Sequence, residues 1–515
     1  MSDIGLWTIA AQTPDRAAVI EADGAVTSYA ELAALADRLG RGLQALGLAP
    51  GGTVAGMLPN GVEALALFFA AMQTGLYVVP VNWHLTAAEV AYILGDSEAG
   101  AFVAHERFAD VAASAADQAG IAPTARFAVG PVPGFAPLGE LGADGAGRPA
   151  ERTAGAPMLY TSGTSGRPKG VRRALTGADP DAVPPYTTWF FGIFGLRPYD
   201  GHVHLCCSPL YHTAVLNFAT ISVTLGHPVV LMDRFDPEVL LALVERHRVT
   251  SSHMVPTQFR RLLGLPERVR ARYDVSSLRC MIHAAAPCPP EVKRRMLDWW
   301  GPVVTEYYAA TEGGGSVITA AEWLARPGSV GTAWPGSEVR VLDDNGDDAA
   351  AGETGLVYMR MGASTFDYYK DEEKTLASRA RGMFTVGDIG YLDADGYLYL
   401  CDRKADMIIS GGVNVYPAEI ESELSCHPAV ADVAVFGIPH EEWGEEIKAV
   451  VQPADGVAPG PALTEQLLGF LDGRIAKFKL PRTVDYVAEL PRDPNGKLYK
   501  RRLRDPYWAA RDKSI

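Results

Sequence analysis

The chain has 515 residues, of which 48% are hydrophobic and 21% charged, and its formal net charge is −15. This length exceeds what one hydrophobic core supports, so two or more domains are expected. The negative charge argues against a nucleic-acid-binding surface and against an anchor to anionic membranes. Six cysteines without a C-x-x-C pair, no secretion signal and no membrane-spanning apolar run predict a soluble cytoplasmic protein with reduced thiols.

Helices and strands are predicted to alternate from residue 28 to residue 130. A helix is predicted over 28–48, with Thr27 or Ser28 as its N-cap and Glu31 three residues further on. The next elements are strand 53–58, helix 62–72 and strand 77–81, followed by further alternation over 85–130. Residues 131–155, rich in glycine, proline and alanine, are predicted to form a loop.

A second alternation is predicted from residue 213 onward. Its elements are helix 213–226, strand 228–232, helix 236–247, strand 250–255, helix 256–264, strand 279–284, helix 289–300 and strand 303–307. This rhythm predicts an α/β fold with mostly parallel strands. Residues 329–402 carry more strand signals, and turns at Asp344 and Asp393 predict hairpins there.

The residues after 402 are predicted to form a separate small α+β domain. The charged segment Asp402–Lys404 follows a strand-like run and marks the boundary, which gives domains 1–402 and 403–515. The predicted fold class is α/β, with a large N-terminal domain of mostly parallel α/β subdomains plus a β-rich subdomain, and a small mobile C-terminal domain. The predicted elements of the C-terminal domain are helices 417–426 and 463–474 and strands 430–436 and 447–451. A solvated basic tail is predicted to follow them, with Lys500, Arg501, Arg502 and Arg504.

Residues 160–170, Tyr-Thr-Ser-Gly-Thr-Ser-Gly-Arg-Pro-Lys-Gly, have the composition of a phosphate-binding loop. Glycines, hydroxyls and cations at this density suit a loop that wraps phosphate oxygens with backbone N–H groups. The pattern is not a Walker A loop, because no Gly-Lys-Ser/Thr closes it. A plain solvated turn is the alternative.

Four charged residues stand in settings that suit nucleotide chemistry. Glu312 precedes three glycines and could hold Mg²⁺, or it could be a surface glutamate. Asp388 could accept hydrogen bonds from both hydroxyls of a ribose, and Arg403 could donate to ribose or phosphate. The alternatives are a turn aspartate and a surface arginine. Lys497 follows a glycine on a tight turn and could stabilise developing negative charge, or it could belong to the basic tail.

Together these segments resemble the ANL superfamily of adenylate-forming enzymes. Within this superfamily the motifs look most like those of bacterial, actinobacterial-type fatty acyl-CoA synthetases, and the resemblance covers essentially the whole chain. The segments that carry the resemblance, in family order, are Thr161–Gly170, Pro209–His212, Tyr308–Glu312, Gly387–Asp388, Asp402–Asp406, Gly411–Glu421 and Pro494–Lys497. The resemblance implies an AMP-forming acid–thiol ligase that uses ATP, Mg²⁺ and coenzyme A.

The resemblance implies a first half-reaction in which a carboxylate attacks the α-phosphate of ATP, giving acyl-AMP and pyrophosphate. Lys497 and Glu312 are the implied catalytic residues, and Thr161 and Glu312 the implied ligands of Mg²⁺. The resemblance also implies three groups of nucleotide-binding residues and one further residue, Thr311. The phosphates are implied to contact Thr161, Ser162, Gly163, Thr164, Ser165, Gly166 and Lys169. The adenine is implied to contact Ala285, Ala286, Pro287 and Tyr308, and the ribose Asp388 and Arg403.

In the implied second half-reaction, the small domain turns about a hinge at 403–406 and the CoA thiolate displaces AMP. Gly411 and Gly412 are implied to lie beside the pantetheine of CoA, because closely packed glycines let a slender chain pass the backbone. His212 is the implied gate between acyl pocket and thiol channel. Two positions depart from the family: Ala405 stands where Asp or Lys is usual at the hinge, and Ala309 follows Tyr308 where glycine is usual.

The acyl substrate is expected to be uncharged in its tail. Amino-acid-activating relatives carry an aspartate just after the position of Tyr211 and His212, and this chain has none. A medium- or long-chain fatty acid is preferred. The alternatives are an aryl or sterol side-chain acid, and delivery of acyl-AMP to an acyl carrier protein. The aromatic run Trp189–Phe194 could wall an apolar pocket or be plain core.

Other classes are disfavoured by missing motifs. No G-x-S-x-G occurs, which disfavours a serine hydrolase, and no G-x-G-x-x-G opens a βαβ unit, which disfavours a nicotinamide or flavin oxidoreductase. A second copy of the chain, as a homodimer, is a candidate partner. A lysine acetyltransferase acting on Lys497 is another, because acetylation would remove the cation needed for adenylation.

Overall fold

The computed structural model describes residues 3–161, 168–182, 184–362, 366–492 and 498–509. The chain forms two compact units. The first comprises Met1–Met254, Leu265–Ile282 and Ser364–Ala377, and the second Val255–Gly264, His283–Ala363 and Ser378–Ile515. The predicted α/β class is confirmed. The division into domains 1–402 and 403–515 stays a prediction.

The first unit is built from alternating helices and strands. Its helices are Leu6–Gln12, Tyr29–Ala45, Val62–Thr74, Ala87–Asp96, Ala109–Ala119, Pro184–Gly192, Thr213–Thr224, Pro237–His247, Glu267–Arg270 and Glu372–Ala377. Its strands are Ala17–Ile20, Val26–Ser28, Thr53–Met57, Tyr77–Pro80, Ala99–His105, Arg126–Val129, Ala136–Pro137, Ala156–Pro157, Leu159–Thr161, Lys169–Arg172, His204–Cys206, Val229–Leu231, Ser251–Met254, Cys280–His283 (whose last residue falls in the second unit) and Asp367–Tyr368.

Two largely parallel sheets carry the core of this unit. One has the order Ala136–Pro137, Arg126–Val129, Ala99–His105, Thr53–Met57, Tyr77–Pro80, Ala156–Pro157, with every neighbouring pair parallel. The other runs Val26–Ser28, Ala17–Ile20, Val229–Leu231, His204–Cys206, Ser251–Met254, Cys280–His283. Strand residues such as Val54, Phe102 and Val230 are fully buried, as expected for parallel strands covered by helices.

The capping box predicted for the helix after residue 28 is confirmed. The Ser28 hydroxyl accepts the N–H of Glu31 at 3.2 Å, and the Glu31 carboxylate accepts the N–H of Ser28 at 2.8 Å. The helix ends at Ala45 rather than at 48, because Gly47 takes a left-handed φ of 83°. Residues 131–155 form mainly a loop, as predicted, with the short strand Ala136–Pro137 and one 3₁₀ turn at Leu138–Glu140.

The second unit is richer in antiparallel strands. Its helices are Pro256–Leu263, Pro290–Trp300, Ala320–Ala325, Pro417–Leu424, Pro461–Leu471 and Lys500–Trp508. Its strands are Val304–Ala309, Gly315–Ile318, Ser329–Ala333, Ser337–Leu342, Gly355–Met361, Arg379–Ala380, Met383–Phe384, Asp388–Leu392, Leu398–Arg403, Ile408–Ser410, Val413–Val415, Val430–His440, Gly444–Pro453 and Thr483–Tyr486.

The predicted hairpins in the β-rich region are confirmed. Ser337–Leu342 pairs antiparallel with Gly355–Met361, and Asp388–Leu392 with Leu398–Arg403. In the turn of the second hairpin, the Asp393 carboxylate accepts two backbone N–H groups at 2.9 Å. This side-chain hydrogen bonding is the physical reason that aspartate favours turns.

The residues from 408 onward form a small α+β layer inside the second unit. Val430–His440 and Gly444–Pro453 form a long antiparallel hairpin, flanked by Ile408–Ser410 and by the parallel strand Thr483–Tyr486. Its buried core includes Ile420, Val435 and Leu467. None of the helices in the described ranges is long and apolar enough to cross a membrane. All six cysteines lie in described ranges and are free thiols.

Candidate active site

The predicted phosphate loop is flanked by two antiparallel strands of the first unit. Leu159–Thr161 pairs with Lys169–Arg172, which in turn pairs with Asp367–Tyr368. Ser162, Gly163, Thr164, Ser165 and Gly166 lie outside the described residues, and only the backbone of Thr161 is described. A strand that ends at Thr161 and an antiparallel strand that begins at Lys169 therefore flank this segment.

Lys169 is the described cation of this segment. Its Nζ lies 3.1 Å from Oδ2 of Asp371, and both side chains are 21% exposed. The backbone N–H of Lys374 and then the Lys169 ammonium lower the pKa of Asp371. The hydrogen bond to Asp371 raises the pKa of Lys169. The ammonium is thus held charged and in one place beside the loop.

Tyr308, Asp388 and Arg403, predicted to bind the nucleoside, lie together in the second unit. The Tyr308 hydroxyl donates to Oδ2 of Asp388 at 2.7 Å, and Nε of Arg403 donates to Oδ1 at 3.2 Å. Asp388 and Arg403 are register partners on neighbouring strands, which explains their proximity. Burial and then the Asp388 carboxylate raise the pKa of Tyr308 well above its usual range. The hydroxyl is therefore a permanent donor, and Asp388 is an oriented acceptor with 8% exposure.

Glu312 is buried, with 8% exposure, just after the strand Val304–Ala309. Thr311 beside it is half-buried. Packing requires a glycine at position 315, because a Cβ on Gly315 would lie 1.9 Å from the carbonyl oxygen of Tyr308 and 2.5 Å from the Trp334 ring. The buried position removes the surface-glutamate alternative for Glu312.

The segment predicted to line the adenine, Ala284–Pro287, follows the strand Cys280–His283. Ala285 has a left-handed φ of 73°, which costs an alanine about 1–2 kcal/mol. Ala285 and Pro287 are exposed, and Ala286 is half-buried. Strained backbone of this kind concentrates at ligand sites, because the surrounding fold must maintain it.

A buried ionic cluster next to these residues was not predicted from the sequence. Nζ of Lys293 lies 2.5 Å from Oε2 of Glu306, and Nε2 of His283 lies 3.5 Å from the same oxygen. Burial raises the pKa of Glu306, and Lys293 opposes that rise. Glu306 lies two residues before Tyr308 on one strand, so period-two alternation is the signal that places it on the same face.

His212 occupies the N-cap position of the helix Thr213–Thr224 in the first unit, without a capping hydrogen bond from its side chain. Its ring lies 4.3 Å from that of Tyr211, which meets the Trp83 ring edge-on at 4.5 Å. A cavity of about 30 Å³ lies beside Tyr211. Its lining residues are Gly56, Leu58, Ala64, Leu67, Phe68, Val78, Pro80, Leu210, Tyr211 and Leu216, none of them charged.

The aromatic run Trp189–Phe194 serves mainly as core. Phe191 and Phe194 are buried, and their rings lie 4.7 Å and 5.7 Å from that of Phe218. Trp189 is 42% exposed. Of the two interpretations of this run, packing therefore accounts for its buried members.

Gly411 and Gly412 form the turn between Ile408–Ser410 and Val413–Val415, with left-handed φ values of 59° and 79°. A Cβ on Gly411 would lie 2.8 Å from the ring of Trp443, so close approach requires glycine there. Lys497 lies outside the described residues. Arg492 and Leu498 pair as an antiparallel bridge on either side of it.

The prediction of a solvated basic tail is wrong for two of its four residues. Lys500 is 13% exposed, and its Nζ lies 2.8 Å from Oε1 of Glu421. Arg504 donates from Nη1 to the carbonyl oxygen of Ala405 at 3.2 Å. Arg501 and Arg502 are exposed, as predicted. The helix Lys500–Trp508 is therefore attached to the predicted hinge segment 403–406.

Two protein families match the chain. The family described as AMP-binding enzyme matches residues 6–369, and AMP-binding enzyme C-terminal domain matches residues 419–497. Three relatives are similar over nearly their whole length. FadD13 of Mycobacterium tuberculosis, a long-chain-fatty-acid–CoA ligase, is 35% identical over 94% of this chain and 93% of its own. A feruloyl-CoA synthase of an Amycolatopsis species is 33% identical over 97% and 98%. ScoC of Streptomyces coeruleorubidus, a fatty acid–[acyl-carrier-protein] ligase, is 32% identical over 94% and 92%.

A solved structure agrees with these relatives. The ATP-bound structure of MatB from Rhodopseudomonas palustris has a TM-score of 0.80 at 32% identity, covering 96% of each chain. The matched families reach into both described units. Of the segments that carried the sequence resemblance, Gly387–Asp388 and Asp402–Asp406 lie between the two matched ranges, and the others lie within or overlap them. The chain therefore belongs to the AMP-binding enzyme family, and it is an AMP-forming acid–thiol ligase.

Proposed function

We propose that the protein joins a medium- or long-chain fatty acid to coenzyme A at the expense of ATP, with release of AMP and pyrophosphate. The observation that carries the fatty-acid assignment is the apolar surrounding of Tyr211, whose neighbouring cavity has only uncharged lining residues. The cavity holds only about one water molecule, so its volume gives no information on the length of the acyl chain. The assignment uses the apolar character of its walls. The 35% identity to a long-chain-fatty-acid–CoA ligase supports the same assignment.

In the first half-reaction, a carboxylate oxygen of the fatty acid attacks the α-phosphorus of ATP, and the bond to the pyrophosphate oxygen breaks. Lys169 and the loop before it would hold the departing phosphates. Lys497 would bridge the substrate carboxylate and the α-phosphate. Loss of one such stabilising contact typically costs ~10²–10³ in rate. Asp388, oriented by Tyr308 and Arg403, would accept the ribose hydroxyls.

Glu312 suits a magnesium ligand, because a buried carboxylate beside a strand end offers the hard oxygen that this ion prefers. Thr161 would supply a second oxygen. Bound Mg²⁺ would neutralise charge on the phosphate oxygens. The protein's own part is to present the buried carboxylate of Glu312 beside the end of the strand Val304–Ala309.

In the second half-reaction, the CoA thiolate attacks the acyl carbonyl carbon, and AMP leaves with the electrons of the broken bond. The turn at Gly411 and Gly412 would let the pantetheine pass, since neither residue places a side chain in its path. His212 would separate the acyl side from the thiol side, through its packing on Tyr211.

The test is a screen of pyrophosphate release with purified enzyme, ATP and CoA, over short- to long-chain fatty acids, ferulate and succinylbenzoate. We expect the highest kcat/KM with medium- or long-chain fatty acids and stoichiometric acyl-CoA. Higher kcat/KM with an aryl acid would refute the fatty-acid assignment while leaving the ligase class intact.

A second candidate function is transfer to an acyl carrier protein, favoured by the 32% identity to the carrier-protein ligase ScoC. The same incubation with a holo carrier protein in place of CoA separates the two acceptors. We expect turnover with CoA. Acyl-AMP that accumulates with CoA but is consumed by the carrier protein would establish the second candidate instead.

A further inference from the structure

A three-residue ion cluster links helix Pro256–Leu263 to the small α+β layer of the second unit. Arg492 donates from Nε to Oδ2 of Asp432 and from Nη2 to Oδ1 at 2.9 Å, so it grips both carboxylate oxygens. Arg260 donates from Nη1 to Oδ1 of Asp432 at 3.3 Å and from Nη2 to the carbonyl of Ala431. We name Arg260, Asp432 and Arg492 the Asp432 bridge.

The Asp432 bridge is poorly exposed and geometrically specific. The side chain of Asp432 is 13% exposed, and those of both arginines are 23% exposed. A two-pronged arginine–carboxylate contact fixes orientation as well as charge, because two parallel N–H groups must align with two oxygens. Partial burial reduces the solvent screening that makes most surface ion pairs weak. The bridge is therefore built to hold position.

Arg492 stands at the base of the segment that carries Lys497. Its backbone pairs with that of Leu498, so the two residues that flank 493–497 are held together, and we call this pair the base of the segment. On the N-terminal side, the N–H of Leu490 donates to the Gln452 side chain at 3.1 Å, and the Leu490 side chain is buried against Phe436. Asp432 thus binds Arg492 in a stretch of chain that Leu490 already attaches to the underlying strands.

Arg260 gives the bridge its second attachment. It lies in the part of the chain matched by AMP-binding enzyme, whereas Asp432 and Arg492 lie in the part matched by the C-terminal domain. Arginines from both matched regions therefore bind the same carboxylate, that of Asp432. Burial lowers the pKa of Arg260, and the Asp432 carboxylate opposes that change.

We propose that the Asp432 bridge positions the base of the segment carrying Lys497 for the first half-reaction, an inference that rests on the proposed role of Lys497. Asp432 and its two arginines are positioning residues, because they act through the backbone at Arg492 and Leu498. A small displacement of a catalytic group can cost ~10²-fold in rate. Loosening the contacts that hold Arg492 and Leu498 is therefore expected to slow adenylation.

The test compares the two half-reactions in Arg492→Gln, Arg260→Gln and the double variant. ATP–pyrophosphate exchange measures the first, and acyl-CoA formation from supplied acyl-adenylate measures the second. Substituting the arginines is preferable to substituting Asp432, whose loss would leave two cations facing each other. The ratio of the two rates does not depend on the folded fraction, so modest destabilisation leaves it interpretable.

We expect each single variant to lower the ratio of first to second half-reaction by roughly 10–100-fold. The double variant should fall no further than the worse single variant, because the three residues act as one chain of contacts. The matched control is Asp485→Asn, which removes the 2.8 Å ion pair with Lys448 on the same sheet and should leave the ratio unchanged.

Equal losses in both half-reactions, an unchanged ratio, or losses that multiply in the double variant would each overturn the proposal. Lys497→Ala, measured alongside, separates this failure from failure of the proposed function. If Lys497→Ala keeps full pyrophosphate exchange, the role of Lys497 is wrong and the inference falls with it. If it abolishes exchange while the arginine variants do not, only the positioning role is wrong.

Discussion

Asp388 is held by two donors at once, and this defines its chemistry. Tyr308 and Arg403 each donate to a different carboxylate oxygen, which leaves the remaining lone pairs aimed in fixed directions. An acceptor held in this way costs little ordering entropy when a ligand binds, because its rotamer is already fixed. The proposed ribose contact therefore depends on preorganisation as much as on charge.

At this scale we predict that Asp388→Ala raises the KM for ATP by roughly 10–100-fold, as expected for charge-assisted hydrogen bonds worth about 1.5–3 kcal/mol. Steady-state kinetics at saturating fatty acid measures this change. The control is Tyr308→Phe, which keeps the ring and removes one donor, and a smaller rise is expected. An unchanged KM for ATP in Asp388→Ala, with the fold intact, would contradict the ribose assignment.

Local elements were predictable where their signals are local. The capping box at Ser28 and Glu31, and the Asp393 turn, are formed by side chains that bond to backbone groups a few residues away. Long-range partners were not predictable. Lys500 was expected in solvent, but it meets Glu421 on another helix, and Lys293 meets Glu306 on a strand. Nothing in a local pattern encodes a partner that only the tertiary fold brings near.

The predicted hinge element has a feature that its sequence did not reveal. Ala405 lies in a turn, and its carbonyl accepts a hydrogen bond from Arg504 of the last described helix. The N–H of Lys404 donates to the carbonyl of Gly387 at 2.8 Å. Backbone hydrogen bonds at Lys404 and Ala405 therefore hold this turn, whose alanine has no polar side chain to do so.

At the scale of this element we predict that Ala405→Pro impairs one half-reaction more than the other. Proline fixes φ and restricts the preceding residue, so the turn would be limited to one set of dihedral angles. Pyrophosphate exchange and thioester formation from acyl-adenylate, measured separately, give the two rates. Ala405→Gly keeps the dihedral freedom and should support both. Full rates for both half-reactions in the proline variant would disprove the hinge position.

For the molecule as a whole, buried histidines predict loss of stability in acid. His204, His227 and His253 lie in the first unit, and burial lowers the pKa of His204 to about 3 and those of His227 and His253 to about 4. Asp200, 2.9 Å from Nε2 of His227, raises the pKa of that ring but does not outweigh burial. All three rings are therefore neutral in the folded protein near pH 6.

Unfolded histidines titrate near pH 6.5, so below that pH the unfolded chain binds protons that the folded chain does not. The free energy of unfolding is thus expected to fall as pH drops from about 6.5 towards 4, by up to about 1.4 kcal/mol per pH unit for each ring. Denaturant unfolding at a series of pH values measures this slope. His253→Phe removes one titrating ring beside Phe218 and should make the slope shallower. An equal slope in His253→Phe and the unmodified protein would show that proton uptake by this ring does not drive acid unfolding.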